Sequence, residues 1–226
     1  MLRNLRIFRR AAVGVAGVVA LTITPAMPAA LATTPAAPQE GEPSSTKGIE
    51  ELAFTSSGME FDLGNQNFVI PLTGSVIMEG TPPVVPGTTT SIDVRNLTAH
   101  STSSSGHSSP RQDLGEVRVE QSSTPKSSLA MTQKFPPRFE QTVLLDLRIS
   151  IENPPEGLRE QVAPRGARQE PLVLTTKNLA ELVGQLNSFP PRGAQYELQE
   201  PVELDTENDQ RTLGRVLGIP AEIDVL

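Results

Sequence analysis

The chain has 226 residues, of which 19 are Lys or Arg and 26 are Asp or Glu. It contains no cysteine, which excludes disulfides, thiolate metal sites and thiol nucleophiles. The acidic balance disfavours nucleic acid as a partner, because that binding rests mainly on Lys and Arg that neutralise phosphates. Twenty-one Pro and 17 Gly, with no Trp and one Tyr, favour short strands joined by turns over an all-helical fold.

The N-terminus has the organisation of a secretory signal. Residues 1–10 include four arginines and no acid, residues 11–24 are uncharged and mostly apolar, and Pro25 ends that run. A basic start and a short apolar segment are typical of a signal peptide. A membrane-spanning helix needs roughly 20 apolar residues, so a retained anchor is the less favoured interpretation.

A small-residue cleavage site follows the apolar run. Ala30 and Ala32 form the Ala-x-Ala pattern that signal peptidases cut after. We therefore expect a signal peptide over 1–32 and a mature chain that begins at Thr33. The Arg9-Arg10 pair leaves both the general secretory route and the twin-arginine route open. The leader is typical of a bacterium, and the expected location is secreted, either extracellular or in the cell envelope.

Export changes the charge of the protein. Removal of four of the 19 basic residues leaves 15 against 26 acids, a formal charge of −11. Such a surface disfavours anionic membranes, and we expect no stable membrane insertion after processing. Residues 33–48 are Pro- and Ser-rich and cannot build a core, which predicts a disordered linker. Residues 49–226 then form a single domain.

Alternation of apolar and polar residues predicts most of that domain. In 142–152, the residues Leu145, Leu147, Ile149 and Ile151 share one face, while the intervening residues are polar. A period of two predicts a strand that is buried on one side and solvated on the other. Similar patterns predict further strands in 68–78, 117–119 and 196–204, with weaker ones in 51–54, 59–63, 91–96, 127–135, 172–175 and 221–226.

One segment favours a helix. Leu179, Leu182, Val183 and Leu186 follow the i, i+3, i+4, i+7 spacing of an amphipathic helix, and Asn178 can cap it. We therefore expect one short helix over 179–187. Flexible loops are expected near 100–113 and 153–170. The predicted fold class is all-β, an antiparallel β-sandwich or flattened barrel with that single helix.

The sequence contains no recognisable catalytic, cofactor-binding or metal-binding motif. The Gly-x-Ser-x-Gly hydrolase string and the Gly-rich nucleotide loops are absent. His100 and His107 lie in a predicted Ser-rich loop without zinc spacing. The acidic turn 205–209 lacks the Gly and the closing Glu of a calcium loop. No cofactor is expected, and the predicted site residues are only those of the signal cleavage.

Three classes of function remain open. The leading one is a non-catalytic exported protein that binds a cell-surface component, a protein or a small ligand. A secreted hydrolase whose Asp and Glu side chains converge only in the folded protein is the first alternative. The second alternative is a structural or assembly protein that acts through exposed sheet edges.

Overall fold

The computed structural model describes residues 48–64, 66–102, 114–158, 170–206 and 209–226. The predicted signal peptide 1–32 and the linker up to residue 47 lie outside these ranges. The described residues are almost entirely antiparallel β-sheet, as predicted. They form β1 (Gly48–Leu63), β2 (Gln66–Gly80), β3 (Thr89–Ser101), β4 (Val117–Ser123), β5 (Lys126–Gln133), β6 (Arg138–Ile151), β7 (Leu172–Thr176), β8 (Ala180–Leu186), β9 (Ala194–Leu198), β10 (Val202–Thr206), β11 (Asp209–Gly218) and β12 (Ala221–Val225).

The strand predicted at 142–152 is confirmed as the second part of β6. Every second residue of this strand is buried, from Phe139 to Ile151. Leu147 and Ile149 are 1% and 0% exposed. The residues between them are less buried, because successive side chains of a strand point to opposite faces of the sheet. One face of β6 therefore lines the core along its whole length.

The sheet is a meander in which some strands are interrupted. β4 and β5 both pair with β3 on one side and β6 on the other, so they lie end to end as one broken strand. The pairs β7/β8, β9/β10 and β11/β12 are broken in the same way. Pro125, Pro201 and Pro220 lie at three of the four breaks. Proline lacks an amide donor and cannot continue a ladder there.

The meander closes on itself. β1 pairs with β12 through its first half and with β11 through its second half. Every described strand consequently has neighbours on both sides. Of the two predicted architectures, this closure corresponds to the flattened barrel, with eight strand positions around it.

The strands are strongly staggered. A path of paired residues around the barrel leaves β1 at Ala53 and returns at Leu63, ten residues further along the same strand. It runs through Ser75, Thr98, Glu120, Arg148, Thr175, Asp205 and, after one step along β10, through Leu204 and Gly214. Stagger of this kind tilts the strands, and an eight-stranded barrel is just wide enough to be filled by side chains.

A buried tyrosine, Tyr196, fills part of the barrel interior. Gly184 on β8 leaves the space that the Tyr196 ring occupies, since a Cβ there would lie 2.6 Å from the ring. The Tyr196 hydroxyl donates to Gln141 Oε1 at 2.6 Å. Burial raises the pKa of Tyr196 well above its ordinary value, so the hydroxyl stays a donor. The Gln141 amide in turn approaches Met78 Sδ at 3.6 Å.

The helix predicted over 179–187 is wrong, because Ala180–Leu186 form the strand β8. Ala180, Leu182 and Leu186 are buried with a period of two, and β8 pairs with β6 from Ala180 to Leu186. Leu179, which the helical pattern required, is 43% exposed. Pairing along β6 therefore outweighs the local helical spacing. The described helical residues are a single turn at 156–158.

No helix in the described ranges is long and apolar enough to cross a membrane.

The connections divide between the two ends of the barrel, and we name one end after its two long links, 102–116 and 152–171, and the other after its prolines. The long-connection end carries the links 64–65, 102–116, 152–171 and 207–208. Leu114 and Leu158, from the described parts of two of these links, are buried in the core cluster. The proline-rich end carries the links 81–88, 134–137 and 187–193, together with the start of β1 and the end of β12.

The loop predicted near 100–113 begins later than expected. β3 continues to Ser101, so His100 belongs to a strand and pairs with Arg118. Pairing along β4 extends the strand beyond the point where the Ser-rich sequence begins. His107 and the rest of 103–113 lie outside the described residues, as does 159–169 of the loop predicted near 153–170.

Candidate functional site

A groove of about 470 Å³ lies on the outer face of the barrel, near the long-connection end. It spans β4, β6 and β7. Its walls combine charged, hydroxyl and apolar groups, from Glu116, Arg118, Glu120, Arg148, Ser150, Glu152, Pro171 and Val173. Binding sites are concave and hold a few placed polar groups, and we therefore take this concavity as the candidate site.

The strand register places these side chains in rows. Arg118 on β4 pairs with Ser150 on β6, which pairs with Val173 on β7. The next row is formed by Glu120, Arg148 and Thr175. Glu116 and Glu152 lie side by side in the row before, since Glu152 donates its amide to the Glu116 carbonyl at 3.0 Å. Acidic and basic residues therefore alternate along β4, and Glu120 lies beside Arg148 of the neighbouring strand.

The charged groups are held by contacts with their neighbours. Arg118 pairs with Glu116 at 3.2 Å. The Glu152 carboxylate accepts the Glu116 amide at 2.9 Å. Thr175 donates to Asp205 at 3.1 Å, which extends the polar row onto β10. These contacts position the side chains without burying them, so the groups remain accessible to a ligand.

The floor of the groove is rigid because the same strands line the core. Val117, Val119 and Ile149 alternate with the groove residues and are buried inside the barrel. Gly115 stands at the edge with φ +65°, a conformation that side chains other than glycine rarely adopt. A Cβ there would also lie 2.6 Å from the Glu152 carboxylate, which would have to move; the positive φ is what favours glycine where the chain enters β4.

The histidines do not form a common site within the described residues. His100 lies in the row of Arg118, next to the groove, and its other neighbour is Thr73 on β2. His107 lies outside the described residues. The predicted acidic turn is a tight connection in which Thr206 pairs with Asp209. In the described part of the chain, no three His, Asp or Glu side chains are grouped as metal ligands.

A second polar cluster lies on the outer face of β2, β3 and β5. Arg95 contacts Glu79 at 2.8 Å and Asp93 at 3.2 Å, and Lys126 also binds Asp93. The hydrogen bond from Lys126, followed by that from Arg95, lowers the pKa of Asp93 despite its desolvation. Two acids and two bases neutralise each other here, so the cluster is a structural ion-pair network.

Comparison with known proteins adds a fold but no family. No family model and no curated protein matches the chain. It is similar to a solved structure described as DynF from the dynemicin biosynthesis pathway of Micromonospora chersina, with a TM-score of 0.59 and 14% identity. The similarity covers 79% of this chain and 81% of DynF. At this identity the likeness supports the β-rich fold alone.

Proposed function

We propose that this chain is an exported, non-catalytic binding protein of the cell surface or its surroundings, and that the groove on β4, β6 and β7 holds its ligand. The observation that carries the proposal is the ordered array of Arg118, Ser150, Glu120 and Arg148 on a rigid barrel wall. Strand pairing fixes the backbone beneath these side chains, so binding costs mainly the freedom of the side chains themselves. The leader supports export, and no cofactor is needed for this function.

The mixed charge of the groove favours a ligand with acidic and basic groups side by side. Arg118 and Arg148 can each bind a carboxylate through paired N–H donors, while Glu120 and Glu152 can accept a cationic group. An extended protein segment presents such groups at a spacing similar to that of the strands beneath it. The proposed ligand is therefore a charged, extended segment of a partner protein or a peptide.

The two alternatives receive less support. Assembly through sheet edges needs an unpaired strand, and each described strand is paired on both sides. A hydrolase needs a carboxyl group whose environment suits proton transfer. Glu116 and Glu152 are the neighbouring acids of the groove, but both are exposed and are bonded to Arg118 and to a backbone amide respectively.

Binding of defined peptides tests the proposal. A blocked peptide of alternating Asp and Lys should raise the melting temperature of the secreted protein progressively, with the logarithm of its concentration above Kd, because a ligand stabilises the state that binds it. Arg118→Glu should weaken the apparent Kd about tenfold or more, equivalent to the loss of one charge-assisted contact. The measurement is thermal unfolding across a peptide titration.

The matched control is Arg215→Glu, which makes the same charge change on β11, away from the groove. This variant should respond to the peptide as the parent does. A blocked Ser–Gln peptide of equal length should give no shift. Equal stabilisation by both peptides, or no stabilisation by either, would contradict the proposal that the groove selects its ligand by charge.

A further inference from the structure

Exposed apolar side chains concentrate at the proline-rich end of the barrel. The described part of the chain exposes eight large apolar side chains. Six of them lie at this end, namely Ile49, Val84, Val85, Phe135, Val225 and Leu226. Phe135 is 89% exposed and Val84 is 74% exposed. Apolar side chains scattered singly over a surface are normal, whereas a group of them marks an interaction surface.

The charges of the same end are divided between two opposite sides. Lys134, Phe135 and Arg138 lie where β5 passes into β6, and all three are exposed; we name them the basic half. The paired ends of β1 and β12 carry what we name the acidic half, formed by Ile49, Glu50, Glu51 and Asp224. Around the barrel, β2 and β3 separate the two halves on one side, and β8 and β9 separate them on the other. The two halves therefore face each other across the mouth of the barrel.

Neighbouring charges leave this division in place. Glu140 follows the basic half along β6, and Glu222 lies beside the acidic half on β12. Arg192 belongs to the link 187–193, between the two halves. The ion-pair network around Asp93 is neutral in itself. The basic half thus has two bases beside one acid, and the acidic half has three acids with a fourth beside them.

We propose that the proline-rich end binds the same end of a second copy of the chain, so that the protein forms a two-fold symmetric dimer. In such a dimer the same surface patch is used by both copies and must be complementary to itself. A two-fold axis in the plane of contact places the basic half of each copy on the acidic half of the other. Every charge contact is then made twice, and the exposed Phe135 of each copy meets the side of the other that carries Ile49.

The charge pattern is what selects a second copy as the partner. A partner of one sign, such as an anionic membrane, would attract one half of this end and repel the other. A second copy supplies both signs at the required separation, because its own halves are equally far apart. Complementary charges of this kind fix the orientation in which two surfaces associate. The proline-rich end is separate from the groove on β4, β6 and β7, so the proposal does not rest on the proposed function.

Sedimentation equilibrium of the secreted protein tests the proposal. The protein should show a monomer–dimer equilibrium that weakens as salt is added, because salt screens the charge contacts. Phe135→Ser should raise the dimer Kd about tenfold or more, since the substitution removes two apolar side chains from a symmetric interface. Val69→Ser is the matched control: it removes an exposed apolar side chain from the outer face of β2 and should dimerise as the parent does. An unchanged circular dichroism spectrum shows that each variant is folded.

Paired charge reversals give the sharper test. One variant combines Lys134→Glu with Arg138→Glu, and the other combines Glu51→Lys with Asp224→Lys. Each variant alone should dimerise about tenfold more weakly than the parent or worse, because the attraction between the halves is lost at both contacts. An equimolar mixture of the two should associate more tightly than either alone. In the mixed dimer the unaltered halves face each other, and the charges introduced into the altered halves are also of opposite sign.

Three results would overturn the proposal. The first is a parent that stays monomeric at every concentration reached. The second is a mixture of the two reversed variants that associates no better than its components. The third is equal weakening of the dimer by Phe135→Ser and by the control Val69→Ser, because association would then not depend on the proline-rich end.

Discussion

Gly74→Ala is expected to destabilise the barrel strongly, and far more than the same substitution at Gly157. Gly74 lies on β2 between Phe54 of β1 and Ala99 of β3. A Cβ at this position would lie 1.8 Å from the Thr98 carbonyl oxygen and 2.6 Å from the Ala99 Cα. Both atoms belong to the backbone, so no side-chain rotation can relieve the overlap.

Relief would require β2 and β3 to separate, at the expense of their ladder. Overpacking within a core costs about 1–3 kcal/mol and occasionally more, and this contact belongs at or above the upper limit. Chemical denaturation of Gly74→Ala should show a much lower midpoint than the parent. Gly157→Ala is the control, because a Cβ there meets nothing within 4 Å. Equal midpoints for the two variants would contradict the close approach of β2 and β3.

Leu147→Ala is expected to cost about 2–5 kcal/mol of unfolding free energy, as truncation of a fully buried leucine does. Leu147 lies near the middle of β6, where the neighbouring strands change from β5 and β8 to β4 and β7. It is almost completely buried, and its amide donates to Thr176 Oγ1 at 3.0 Å. A cavity here would therefore weaken packing between both parts of the barrel.

The control for this prediction is Arg138→Ala on the same strand. Arg138 is exposed, and surface substitutions usually change stability by less than about 0.5 kcal/mol. The two variants are compared by their midpoints of urea denaturation, with the m-values checked to be equal. If Leu147→Ala and Arg138→Ala unfold at the same midpoint, the assigned inner face of β6 is wrong.

The strands were predictable where alternation is strong. In β6 the apolar residues recur at every second position from Val143 to Ile151, which is the part that the alternation predicted. β8 was mistaken for a helix because Leu179, Leu182, Val183 and Leu186 fit a helical period as well. β11 was missed because Gly214 and Gly218 interrupt its pattern, although Leu213 and Val216 are buried. The spacing of apolar residues does not determine whether such a segment forms a helix or a strand, because its pairing with neighbouring strands determines this.

Closure and the groove were not predictable for a related reason. The pairing of Phe54 with Ile223 joins β1 to β12, and nothing in either segment specifies the other. The groove depends on the register that places Arg118 beside Ser150 and Glu120 beside Arg148. In the sequence these residues appear only as the polar half of two alternating strands. The sequence shows that β4 carries charged residues, but it does not show which residues of β6 and β7 lie beside them.

Retention of the protein at the cell surface tests the central claim most directly. We expect the secreted chain, beginning at Thr33, to be recovered with envelope material, and the double substitution Arg118→Glu and Arg148→Glu to shift it into the medium. Arg215→Glu should leave the distribution unchanged. If the groove variant stays with the envelope as the parent does, or if the parent itself is found only in the medium, the groove is not the surface-binding site.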